Sequence, residues 1–242
     1  MSTFSSFLSE ATRKYLEDEM SVYAAQASFF IILAALPFFM LMLSLIELIP
    51  IIHESDLLSV LVDVMPDNLD ALVISVLDSL RSKSPGAIFS ITAIAAMWSA
   101  SKGMLGIERG LNRAYNVNVE RNYLVRRLLC TCYTFLFTIM CALSLVFRFS
   151  ALLILLILFL AFYVVLPHKK QKISSQLPGA IFSAFGWILF STAFSVYFRY
   201  FGRFTITYGS LTAAVLMMLW LYFCLCILFL GAEINCILNH KH

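Results

Sequence analysis

The residues of this chain that could do chemistry are its cysteines, its histidines and the few charged groups set into otherwise apolar sequence. Cys130 and Cys132, and again Cys224 and Cys226, stand two residues apart. At about 3.6 residues per helical turn such a pair points about 200° apart, so neither pair can grip one ion. Cys141 and Cys236 complete a set that lies wholly inside two apolar runs, where cysteine behaves as a small hydrophobic residue. His53, His168, His240 and His242 are scattered and make no metal-ligand spacing. Neither a Gly-x-x-x-x-Gly-Lys-Ser/Thr loop nor a Gly-x-Ser-x-Gly elbow occurs. The expectation is a protein that is no enzyme, with no catalytic residue, no metal and no cofactor.

Ionisable residues inside or at the edge of an apolar run are the better pointers, because each costs a few kcal/mol to insert in a bilayer. Lys102, Arg148 and Glu233 meet that description. Lys102 and Glu233 fall at the same membrane edge as Gln26, Trp98, Ser99, Ser101, Asn112, Arg113 and Asn235. One reading of this group is a polar vestibule handling a headgroup or an ion. The plainer reading, which the residue types favour, is an interhelical salt bridge of Glu233 with Lys102 or Arg113, with Trp98 in the interfacial belt. Arg148 reads as a snorkelling residue. The stretch Gly106–Asn116 is denser in polar groups than a connector requires. Its arginines serve either as solvated topology charges or as contacts to anionic headgroups.

The elements that carry these residues follow from composition. The 242 residues are 61% hydrophobic and 13% charged, against about 45–50% and 25% for soluble domains. The apolar runs are long, unbroken and not alternating, which excludes a strand barrel and predicts an all-α polytopic membrane bundle. Six transmembrane helices are expected, at about 23–49, 85–104, 124–147, 150–166, 177–198 and 211–238, in a single membrane domain over 1–242. Pro37 should kink the first. The fourth is short, and only Arg148 separates it from the third. Interfacial amphipathic helices are expected at 4–16 and, in the first outer loop, at 67–83. Tyr208-Gly209-Ser210 reads as a turn whose serine caps the sixth helix.

With both termini cytoplasmic, Arg13, Lys14, Lys102, Arg109, Arg113, Arg121, Arg126, Arg127, Lys169, Lys170, Lys172 and Lys241 lie inside. Only Arg81, Lys83, Arg148, Arg199 and Arg203 then lie outside, as the positive-inside rule requires. The start has no early basic region leading into an apolar core, so no cleavable signal peptide is expected. Pro-Gly-Ala-Ile-Phe-Ser occurs at 85–90 and at 178–183. This suits two inverted three-helix halves, although a common Pro-Gly helix start explains it as well.

Several motifs together resemble the YihY/BrkB family of bacterial inner-membrane proteins, formerly called ribonuclease BN. They are Tyr23-x-Ala-Ala-Gln-Ala-Ser-Phe-Phe with the later Leu-Pro37-Phe, Trp98-Ser-Ala-Ser-Lys-Gly, Arg109-Gly-Leu-Asn-Arg-Ala-Tyr115 and Leu177-Pro-Gly-Ala. Tyr208-Gly-Ser-Leu, Leu219-Trp-Leu-Tyr and Gly231-Ala-Glu-Ile-Asn235 complete the set. Residues 147–150 depart from the pattern, since family members are expected to carry a longer outer segment there. The resemblance implies a six-helix inner-membrane protein of poorly defined function, in a family whose names record virulence or serum resistance and whose members have been suggested to take part in envelope lipid transport. Polar groups gather at the inner ends of spans one, two and six while an apolar helix faces the outer leaflet, and the leading expectation is transport or handling of a lipid or other amphiphilic envelope substrate, with membrane lipids as partners and no role for nucleic acid. The alternative is a scaffold that binds an envelope protein and transports nothing. A ribonuclease is the remote third.

Overall fold

The computed structural model describes the backbone over 2–48, 87–117, 122, 124–134, 151–168, 171–201 and 205–240. Side chains are described within 9–34, 98–117, 122, 124–134, 152–168, 171–197 and 215–239. The elements are α1 (Ser2–Glu17), α2 (Met20–Leu48), α3 (Ala87–Ala114), α4 (described over 124–134), α5 (Ala151–Val165), α6 (Ile173–Phe201) and α7 (Thr205–His240). Among the described residues there is no strand. Ile173–Tyr197 and Val215–Asn239 are long and apolar enough to cross a bilayer, while Met20–Ala34 and Leu152–Val165 are shorter apolar helices. The helix expected at 67–83, the Arg148 junction and the cations Arg121, Lys169 and Lys170 lie outside the described residues. The side chain of Pro37 does too, although α2 runs through that position.

Two expectations about element ends change. The second apolar run does not stop as a helix near Met104, because α3 continues to Ala114. Glu108 and Asn112, one turn apart, bond to each other along it, and the polar stretch is thus a helix face rather than a connector. The end of α3 is a Schellman motif, with Val117 N–H on Asn112 O at 2.8 Å and Asn116 N–H on Arg113 O at 3.0 Å. Asn116 takes the left-handed conformation this needs, φ 52°. At the other end of the chain, α7 begins at Thr205, so 208–210 are already helical rather than a turn before the helix. A helical glycine costs only about 1 kcal/mol, less than unsatisfied backbone groups cost in an apolar medium.

Packing depends on small residues. Gly103, Gly106 and Gly110 line one face of α3, and a Cβ on Gly106 would press on the Ala27 backbone of α2. A Cβ on Gly103 would meet Ile31, and one on Gly110 would strike the Phe229 ring of α7. α6 and α7 approach as closely, since a Cβ on Gly179 would run into the Gly231 carbonyl and the Asn235 amide. α5 joins them through Tyr163, whose hydroxyl is 2.7 Å from Ser183 Oγ and donates to Leu228 O at 2.7 Å. α7 therefore lies at the centre, against α1, α2, α3 and α6. The outer face of α6 leaves Leu177, Ile181, Phe185 and Leu189 exposed at four-residue spacing, a continuous apolar stripe.

Candidate functional site

The polar residues gather at one end of the bundle, where α1, the last turns of α3, the first turn of α4, the bend at 166–168 and the last turns of α7 meet. They form three separate networks.

The first is built on Glu233, which is fully buried. Lys14 of α1 donates to Glu233 Oε2 at 2.7 Å and to the Ala114 carbonyl at 2.7 Å, and stands 3.9 Å from Asp18 Oδ2. Arg113 pairs with Asp18, Nε to Oδ1 at 2.9 Å. Helical spacing puts Glu233 on the same face of α7 as Ile237, and Ile234 and Ile237 pack on Ala11 of α1. Burial pulls the Lys14 ammonium down, but the hydrogen bond and charge of Glu233 outweigh it and hold Lys14 above its ordinary value. Glu233 Oε1 is buried and makes no hydrogen bond. The expected pairing of Glu233 with Lys102 or Arg113 is thus corrected, for Lys14 takes its place. Lys102 instead points its ammonium at the Phe30 ring, 5.0 Å from the centroid.

The second network surrounds Glu108, 2% exposed. Oε2 receives Arg126 Nη2 at 3.2 Å and the Cys130 thiol at 3.5 Å. Oε1 receives Asn112 Nδ2 at 3.1 Å and lies 3.4 Å from His168 Nδ1. Asn112 Oδ1 also accepts the His168 backbone N–H at 2.9 Å, tying the 167–168 turn to α3. Three donors and the His168 ring thus surround this carboxylate. Cys130 is buried and Cys132 exposed, as the opposed directions of that pair require.

The third network holds the start of α6. Pro178 lies inside that helix and lacks an N–H. Asn235 bridges the irregular turn, its Oδ1 accepting Gly179 N–H at 2.7 Å and its Nδ2 donating to Gln176 O at 3.1 Å. Gly231 and Asn235, one turn apart, both face α6, whereas Glu233 between them faces α1. Gln176, fully buried, accepts the Tyr115 hydroxyl at 2.6 Å. Burial pushes the Tyr115 phenol well above its ordinary value.

Of the residues expected in one cluster, Asn112, Arg113, Glu233 and Asn235 are divided among these networks. Trp98 lies further along α3, beside Arg127. Gln26 and Ser99 are half-buried and belong to none of the three. Lys14, Asp18, Glu108, Arg126, His168 and Gln176 were not expected. The i, i+4 spacing of Lys14 with Asp18 and of Glu108 with Asn112 was the available signal for four polar residues. Among the described residues no group of three or more His, Cys, Asp and Glu stands at metal-holding geometry.

The model of a family described as virulence factor BrkB matches residues 11–242. This chain belongs to the BrkB family. Among BrkB-like relatives, a putative ribonuclease-like protein, YfkH of Bacillus subtilis, is 34% identical, covering 98% of this chain and 96% of its own length. That alignment runs over 265 positions against 242 residues here, so the relative carries positions without a counterpart. A UPF0761 membrane protein of Photobacterium profundum is 34% identical over 34% of this chain and 26% of its own length. One of Vibrio parahaemolyticus is 31% identical over 41% and 32%. No solved structure matches. The chain is thus a membrane protein of the BrkB and UPF0761 kind, all-helical where it is described.

Proposed function

We propose that this BrkB-family protein crosses the bacterial inner membrane six times, with both termini cytoplasmic, and handles an amphiphilic envelope substrate at its cytoplasmic end. In this reading α1 lies in the interface as a movable cover. The observation that carries it is the half-satisfied carboxylate of Glu233: one oxygen is held by Lys14 from α1, and the other, at zero exposure, receives no donor among the described residues, with the Asp18 carboxylate close by. An acid kept within an apolar helix with spare accepting capacity points to function more than to stability. A headgroup bearing hydroxyl or ammonium donors can satisfy Oε1, and the displaced Lys14 then meets the substrate's anionic part. The orientation is supported by the meeting of Lys14, Arg113, Arg126 and Arg127 at one end of the bundle.

The test is lipid movement by the full chain in vesicles, read with a headgroup-labelled phospholipid and a membrane-impermeant quencher. A disulfide placed between Ala11→Cys and Ile237→Cys, in a Cys236→Ala background, should stop movement until it is reduced. Locked protein that moves lipid as fast as the unlocked form would remove α1 from the mechanism. A reporter fused to the C-terminus should be active only in its cytoplasmic form.

The scaffold reading has one observation in its favour: Arg113–Asp18, Lys14–Glu233 and Arg126–Glu108 close this end of the bundle with ion pairs. It takes precedence if the unlocked protein moves no lipid and changes within 67–83 abolish capture of an envelope partner.

A further inference from the structure

Arg127, at the start of α4, belongs to none of the three networks. It is 6% exposed, and its Nη2 donates to the Trp98 carbonyl at 2.6 Å. Its guanidinium carbon lies 4.4 Å from the centroid of the Trp98 ring. Its Nε and Nη1 are buried and make no hydrogen bond, and neither does Nε of Arg126 beside it. Among the described residues no carboxylate pairs with Arg127. A buried guanidinium with most of its donors idle is costly, and its planar fork suits a phosphate.

The surroundings decide what would bring that phosphate. Leu124 and Leu128, on either side of Arg127 along α4, are large, apolar and exposed, as is Val125. The indole that stacks on the guanidinium is itself 59% exposed. A soluble anion would have to pass this apolar rim, whereas a phospholipid lays its acyl chains on it. We infer that Arg127 and Trp98 form a headgroup site for an anionic phospholipid, the indole turning aside to let the phosphate reach the idle guanidinium N–H groups. This rests on the amphiphile-handling reading and names a phosphodiester lipid as what that end of the protein binds. In the sequence, headgroup contact was the second reading for Arg109 and Arg113, after solvated topology charges, and Arg113 pairs with Asp18.

The experiment uses the full chain in phosphatidylcholine nanodiscs carrying either brominated phosphatidylglycerol or brominated phosphatidylcholine, read by tryptophan fluorescence. The loss of the signal in Trp98→Phe identifies its source. Brominated phosphatidylglycerol should half-quench at a mole fraction about five- to tenfold lower than brominated phosphatidylcholine, the worth of about one charge-assisted contact. Arg127→Gln should bring the two lipids together, and Arg127→Lys, which keeps the charge and loses the fork, should fall between. If Arg127→Gln does not fold, the wild-type lipid comparison and Arg127→Lys still decide. Equal quenching by both lipids in the wild type, or an unchanged preference in Arg127→Gln, overturns the inference. So does relief of quenching by millimolar inorganic phosphate, which would make the ligand a soluble anion. A lipid preference without lipid movement would sink only the transport reading; movement without preference would sink only this site.

Discussion

Replacing Lys14 by methionine tests the Lys14–Glu233 contact most directly, because methionine keeps most of the bulk and removes the charge. The carboxylate left behind is fully buried, already lacks a partner on Oε1 and stands near Asp18, which shares the same ammonium. Stranding one member of a buried pair costs about 3–5 kcal/mol. Lys14 keeps 21% of its side chain exposed, so water reaches the gap and the lower figure, about 3 kcal/mol, is expected. Glu233→Gln should cost only about 1 kcal/mol. Its amide still accepts from Lys14, and the ammonium retains the Ala114 carbonyl at 2.7 Å and Asp18. The double variant buries no charge at this position and should lose about 2 kcal/mol rather than the summed 4, a coupling of about 2 kcal/mol. Reversible unfolding in mixed micelles at neutral pH gives all four corners of the cycle. A Lys14→Met loss within about 0.5 kcal/mol of zero, or single losses that simply add, would refute the assignment of Lys14 as the partner of Glu233.

Three further outcomes follow from the same contacts. Since Lys14 is held above its ordinary value of 10.5 in the folded protein, its stabilising contribution is complete below 10.5 and lost as pH rises through the folded value. The stabilisation that the Lys14 ammonium lends should therefore fall away only above 10.5, seen as a shrinking stability difference between wild type and Lys14→Met there, in the same unfolding assay. Asn235→Ala removes the acceptor of Gly179 N–H and the donor to Gln176 O. It should cost about 1–3 kcal/mol, with backbone hydrogen exchange rising first at the start of α6. Gly231→Ala places a methyl against Ser183 Oγ and Tyr163 OH. An overpacking loss of about 1–3 kcal/mol is expected, read as a lower melting temperature in detergent.

Where sequence reasoning succeeded it relied on local patterns. Long apolar runs with few charges fall on α2, α5, α6 and α7, because a helix is the way such a run satisfies its own backbone in lipid, although α7 starts at Thr205 rather than at 211. The opposed directions of Cys130 and Cys132 follow from helical geometry alone. The full length of α3 is hidden in the sequence because its last turns carry Glu108, Asn112 and Arg113, whose polarity ends the apolar run without ending the helix. Those side chains are polar because they face three other elements at once. The partner of Glu233 was out of reach for another reason. Lys14 lies 219 positions away, on a helix whose own pattern suggests only an interfacial surface. Arg127 was counted as a topology charge, and nothing local says that its guanidinium would be buried against an indole.

Two buried carboxylates at one end of the bundle allow a structural role to be told from a functional one. Glu108 has three donors and the His168 ring about its two oxygens, so it joins α3, α4 and the 167–168 turn and has less to offer a ligand. Glu233 sits as deep and uses half its capacity. If holding α1 in place were its whole purpose, a glutamine or an apolar residue would do so with less desolvation. Among the described residues its cation partner belongs to α1, which lies against α7 and α2. It can therefore leave without unpacking the close small-residue contacts between α2 and α3 or between α6 and α7. A carboxylate that depends on the element easiest to remove is suited to exchange Lys14 for a ligand. Comparing Glu233→Gln with Glu108→Gln decides between the two roles. The first should abolish lipid movement while leaving the protein folded. The second should lower stability by more and leave movement in the folded fraction. The reverse pattern would make Glu108 the working acid and reduce Glu233 to a fastening for α1.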